Sequence, residues 1–249
     1  MKRFITAALL FAGAARADEL RLVSPNEIDY REIEIEHEGS AGFDRSPGRD
    51  GGRIYSLDVG TGVTRWWHVG AELDYEREAG PDRPTRVDGV QLETLIRLTE
   101  PGEGWLDAGL YAEYDRSSLH SRENPDGALV GGVFLKDIGR TTHTLDLFFD
   151  KAFSPDEDVS GVRFSYAWQS RWNIWRQFAP AVEVFGQAGR VDQPDRFERG
   201  QLIAGPVATG TFLLGPLGRL RYEAGYLFGA TEASPSGTVR WKVDMEIPL

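Results

Sequence analysis

The chain has 249 residues, 39 acids against 28 lysines and arginines, a formal charge of −11 and no cysteine. This length allows one large domain, and the negative charge argues against nucleic acid or anionic lipid surfaces as partners. Disulfides, thiolate catalysis and cysteine-based metal centres are excluded outright.

Residues 1–17 read as a secretory signal: a basic start at Lys2 and Arg3, an apolar stretch over 4–13, and Ala15-Arg16-Ala17 as a small-x-small cleavage site. Its removal takes away three positive charges and no acid, moving the formal charge to −14 and leaving 18–249 as the domain. Beyond it no apolar run approaches the roughly 18 residues of a membrane helix. A mean hydropathy of −0.38 still permits a membrane barrel, which shows lipid only every second residue.

From there the dominant pattern has period 2, the signature of strands with unlike faces. A weak segment over 27–37 slips phase near Arg31, as a bulge would make it, and 53–59 follows. Trp67, Val69, Ala71, Leu73 and Tyr75 alternate with His68, Gly70, Glu72 and Asp74. Val90, Leu92, Thr94, Ile96 and Leu98 alternate with Gln91, Glu93, Leu95 and Arg97, and Leu106 to Tyr114 with Asp107, Gly109, Tyr111, Glu113 and Asp115. Weaker stretches at 128–135, 180–188 and 202–213 lie among clear ones at Leu145–Asp150, Val162–Gln169 and Arg219–Phe228. In 202–213 both parities are apolar, so that strand has no evident orientation.

The final eleven residues set Val239, Trp241, Val243, Met245, Ile247 and Leu249 against Arg240, Lys242, Asp244, Glu246 and Pro248. One face is wholly apolar and the other almost wholly charged. The count is about twelve strands, each near the 9 to 11 residues of a tilted membrane strand. The fold class expected is all-β: a single closed antiparallel transmembrane β-barrel.

Connections alternate in length. Long polar loops are expected at 38–52, 77–85, 116–127, 152–161, 189–200 and 229–238, and shorter ones at 60–64, 99–104, 136–140, 170–178 and 215–218. Outer-membrane barrels place long loops outside and short turns in the periplasm. Aromatic residues fall near strand ends, with Tyr75, Tyr114, Tyr226 and Trp241 toward the long loops and Trp67 and Trp168 toward the short turns. Such side chains suit the two headgroup layers and are expected to face lipid.

The stretch Leu98-Thr-Glu-Pro-Gly-Glu-Gly-Trp105-Leu-Asp-Ala-Gly-Leu-Tyr-Ala-Glu-Tyr114, with Trp66-Trp67 and His143-Thr-Leu145, resembles porin-like bacterial outer-membrane β-barrels. The resemblance implies the outer membrane of a Gram-negative bacterium, outer-membrane lipid and lipopolysaccharide as surroundings, and insertion by the barrel-assembly machinery. That machinery reads a last strand usually closed by an aromatic residue, whereas this chain ends Pro248-Leu249. No reaction or substrate follows from the resemblance.

The residues expected to line the lumen are Glu72, Asp74, Glu93, Asp107, Glu113, Asp115, Asp146, Glu223 and Asp244, with Arg97, Arg163, Arg221, Arg240 and Lys242. Excess carboxylate around water would favour cations. The same groups could instead pair across strands and fill the interior. A passive pore for small polar or cationic solutes is therefore weighed against a closed structural or surface-binding barrel.

A lipid- or lipopolysaccharide-modifying hydrolase is the other alternative. A turn at 60–64 would set Ser56 opposite His68, the start of a nucleophilic site, though no motif like the His-x-Ser-Asn-Gly of outer-membrane phospholipases accompanies them, and no enzyme is expected. Four scattered histidines (His37, His68, His120, His143) and the acids Asp156, Glu157 and Asp158 lack metal-ligand spacing. No metal, cofactor or nucleotide motif is expected.

Overall fold

The computed structural model describes residues 20–26, 28–117, 125–155, 160–194, 196 and 199–249. The expected signal, His120 and Asp156 to Asp158 lie outside them.

Twelve strands form the wall: β1 (Glu32–Phe43), β2 (Arg53–Thr64), β3 (Trp67–Arg77), β4 (Arg86–Arg97), β5 (Asp107–Ser117), β6 (Gly127–Ile138), β7 (Thr141–Ala152), β8 (Arg163–Trp172), β9 (Ala179–Arg190), β10 (Gln201–Leu213), β11 (Arg219–Gly229) and β12 (Gly237–Pro248). Each pairs antiparallel with its neighbour in sequence, and β1 pairs with β12, so the sheet closes. Closure satisfies every wall strand on both edges, which a lipid-exposed sheet requires.

The strands run longer than their sequence patterns because small and polar residues continue the ladder. β1 carries on through Glu38–Phe43, where alternation had faded into an expected loop, and β2 continues through 60–64. The tight connection after β2 is therefore Arg65 and Trp66 alone. The phase slip at Arg31 is not a bulge within a strand. Arg31 has φ of 68°, a left-handed conformation uncommon outside glycine, and turns the preceding chain into β1.

The outer face is apolar. Leu92 is 57% and Leu110 52% exposed in the isolated chain, and Val243 is exposed beside them. Opposite parity is buried and ionic: Glu72, Asp74, Asp146, Asp244 and Glu246 all point inward. The protein is thus inverted relative to a water-soluble one, with its polar groups enclosed and its large aliphatic side chains turned out.

This polarity gives a direct test. Leu92 lies midway along β4, and Leu92→Arg should cost about 2–4 kcal/mol of stability, the range for arginine on a lipid face near the midplane. Urea unfolding in phospholipid vesicles reads the loss, and an unchanged midpoint would mean that this face meets water.

Candidate functional site in the barrel lumen

The lumen contains the chain's own N-terminal segment. Residues 20–29, of which 27 is not described, thread the lumen from the end where β1 begins and β12 ends, and Leu20 reaches Arg240, three residues from the opposite rim. Nine steps of extended chain cover roughly 30 Å, close to the thickness of the hydrocarbon core. Gly62 allows the entry: a Cβ there would lie 2.6 Å from the Asp29 carbonyl oxygen.

Contacts to several strands hold the segment. Near its entry, Arg97 donates from Nε to the Pro25 carbonyl at 2.9 Å and from Nη2 to that of Ile28 at 3.3 Å. Asn26 donates to Asp107 at 3.0 Å, and Arg219 pairs with Asp29. Midway, the Val23 N–H donates to Asp146 Oδ2 at 2.7 Å. Higher up, Arg21 pairs with Glu113, donates to Gln91 at 2.9 Å and lies over the Tyr111 ring, while Arg240 donates to the Leu20 carbonyl at 3.3 Å.

Apolar side chains complete the fit. Leu20 and Leu22 pack with Ala167, Ala181, Phe185, Ile203, Val207 and Leu227. Ile28 and Val23 pack with Leu95, Tyr111, Val133 and Phe148. These wall residues occupy the lumenal parity, where a water-filled barrel would carry polar groups. They also resolve the ambiguous β10: its inward residues include Ile203 and Val207, and their cover is the N-terminal segment.

Cavities remain on either side. One of about 280 Å³ opens at the long-loop end, lined by Leu20, Arg21, Asp115, Asp150 and Arg163. Another of about 210 Å³ lies toward the short-turn end, lined by Leu22, Val23, Asn26, Thr142, Gln169 and Arg221. Arg163 sits at the rim, exposed, 2.9 Å from Asp150.

Around the segment the charged residues pair. Arg240, 2% exposed, reaches Glu183 at 3.1 Å and Glu223 at 2.9 Å, and Gln169 donates to both acids. Arg221 reaches Asp244 and Glu246 at 2.6 Å each and Glu34 at 3.3 Å. Lys242 pairs with Glu36 at 2.6 Å. Tyr111 donates to Glu93 at 2.6 Å, and Gln91 to Asp74 at 2.7 Å. Glu72 is buried on the same wall.

A closed sheet with an aliphatic outside and an ion-paired inside leaves one solvent arrangement. The chain has the fold of an outer-membrane β-barrel. No family model matches its sequence, and no curated protein does. Among solved structures, it is similar to one described as "Bacterial polysaccharide outer membrane secretin", at 9% identity and TM-score 0.37 over 89% of this chain and 99% of that one. It is also similar to a doubly substituted OccD1 (OprD), at 8% identity and TM-score 0.26 over 93% of this chain and 99% of that one.

The barrel's register separates the two residues nominated for hydrolysis. Ser56 pairs with Asp74, and His68 with Gly62. Six residues along a strand amount to about 20 Å, so no proton could pass between them. The error lay in the turn: placed at 65–66 rather than 60–64, it shifts the pairing by six positions. Ser56 Oγ is buried, and His68 lies 3.4 Å from Glu34 and 3.8 Å from Glu93.

The aromatic residues flank the barrel's outer face. Trp67, at the short-turn end, donates to Thr94 at 2.7 Å, and Trp168 stacks on His143. Toward the long loops, Tyr114 donates to Asp126 at 3.0 Å, Trp241 packs against Tyr55, and Tyr226 against Phe228. Tyr75 is half-buried opposite Tyr55. His37 is at mid-strand in β1, outside the barrel, with Nδ1 2.6 Å from the Ser56 carbonyl oxygen.

Proposed function

We propose that the protein is an outer-membrane barrel that passes small polar solutes, cations in preference to anions, through a lumen gated by its own segment 20–29. The observation that carries this reading is the segment itself. It lies between carboxylate-rich walls, with open volume on both sides, and no covalent bond holds it there.

Passage requires the segment to leave or shift, so conduction should be intermittent in the full chain. Carboxylates would then face the freed path and lower the barrier for cations relative to anions. The setting is the outer membrane of a Gram-negative bacterium, with lipopolysaccharide outside and the barrel-assembly machinery as the route of insertion.

The refolded full chain in a planar bilayer, under a potassium chloride gradient, tests this. Brief openings with a reversal potential toward that of potassium are expected. A reversal potential toward chloride contradicts the cation preference. A bilayer that stays sealed for the full chain and for a chain lacking 20–29 favours the closed, loop-presenting barrel, a reading supported by the dense pairing around Arg240 and Arg221.

A further inference from the structure

Beside the crossing segment, the walls of β12 and of β1 to β5 enclose a cavity of about 50 Å³. That is room for an ion with part of its water shell. Its lining is acidic, and most of the acids are matched. Glu34 has Arg221 and His68, Glu36 has Lys242, and Arg21 is committed to Glu113.

Among the described residues Asp58 is not matched. It is 5% exposed and lines the cavity, yet its Oδ2 meets no hydrogen-bond partner and no basic group within ion-pair distance among them. Glu93, from β4, faces the same space with the Tyr111 hydroxyl and the more distant His68 ring as neighbours. Between the two stands Gly70 of β3. A Cβ on Gly70 would lie 2.7 Å from Glu93 Oε1 and 2.9 Å from Asp58 Oδ2. Two carboxylate oxygens thus converge over a point where the backbone carries no side chain.

A buried carboxylate without a partner is costly, and a second carboxylate facing it raises the cost. We propose that Asp58 and Glu93 bind a hard divalent cation of the Ca²⁺ or Mg²⁺ type, with water completing the shell and Gly70 leaving the space. Carboxylate oxygens are the ligands such ions prefer, and a double positive charge would neutralise Asp58 together with Glu93, whose basic neighbour is the His68 ring at 3.8 Å. The site goes beyond the pore reading and does not require conduction.

The full chain, refolded in detergent free of lipopolysaccharide, stripped with chelator and titrated with calcium chloride by calorimetry, decides it. One saturable Ca²⁺ site displaced by Mg²⁺ is expected. Asp58→Asn and Glu93→Gln should each weaken it by roughly tenfold or more, and Gly70→Ala should do so by filling the space. Heat-modifiable gel mobility identifies which variants are folded, and any one folded variant suffices for the comparison. No saturable uptake by the wild type, or undiminished uptake in the folded variants, overturns the proposal. So does a protonated-carboxyl infrared band that persists at saturating Ca²⁺ and vanishes in Asp58→Asn. Because calorimetry does not read current, its failure leaves the pore reading standing.

Discussion

A chain beginning at residue 30 should conduct several-fold more than the full chain in a planar bilayer, with long-lived openings in place of brief ones. Twelve strands enclose more space than the eight whose side chains fill a barrel unaided. Here that space is taken up by a peptide whose Leu20 and Leu22 cover Phe185, Ile203, Val207 and Leu227 and whose Arg21 covers Tyr111. Removing the peptide exposes this patch to water and takes the Arg21 partner from Glu113 and the Val23 N–H from Asp146. The wall itself loses no strand pair, since β1 begins at Glu32.

A milder change tests the same idea in the full chain. Leu20→Asp combined with Leu22→Asp places two charges among apolar side chains, and open time should rise without a change in open-state conductance. Equal currents from the full chain, the shortened chain and the double variant would mean that the segment does not control passage.

Arg240→Met should be among the most destabilising single substitutions in the wall. The guanidinium is buried between Glu183, itself 0% exposed, and Glu223, and lies over the Phe185 ring. Methionine keeps much of the volume but leaves two enclosed carboxylates without their cation. Breaking a buried pair in this way typically costs about 3–5 kcal/mol. Unfolding in urea with vesicles at neutral pH should show a loss of that size, and Arg240→Met with Glu183→Gln should recover part of it. A loss below about 1 kcal/mol would mean that water reaches this site in bulk.

Strand count, closure and the direction of each face were legible in the sequence because period-2 alternation is a local property. Val239 through Leu249 already state which side is greasy, and Leu92 and Leu110 follow the same parity. The acids and bases of the lumen follow as the complement. Most loop lengths were legible too, although the connection at 98–106, expected as a short turn, is as long as that at 44–52, and β1 and β2 reach further than their patterns because the ladder continues through Gly39 to Phe43 and Gly60 to Thr64, where side chains carry little signal.

A clue to the interior was present in the sequence. Leu95, Tyr111 and Phe148 stand on the polar parity, and β10 is apolar on both, which is wasteful unless something greasy lies inside. Leu20-Arg21-Leu22-Val23 was available to cover them, but alternation in a wall strand says nothing about a distant segment.

The sequence by itself determined that this chain makes a twelve-stranded wall with an aliphatic outside, since each strand's two faces are written in adjacent residues. Only the tertiary structure decided what occupies the hollow and which residues meet there. Register is set by where turns fall, and a two-residue turn at 65–66 parted Ser56 from His68. The approach of Asp58 to Glu93, and the passage of residues 20–29 between opposite walls, likewise arise from closing the sheet, which brings together groups that no spacing along the chain relates.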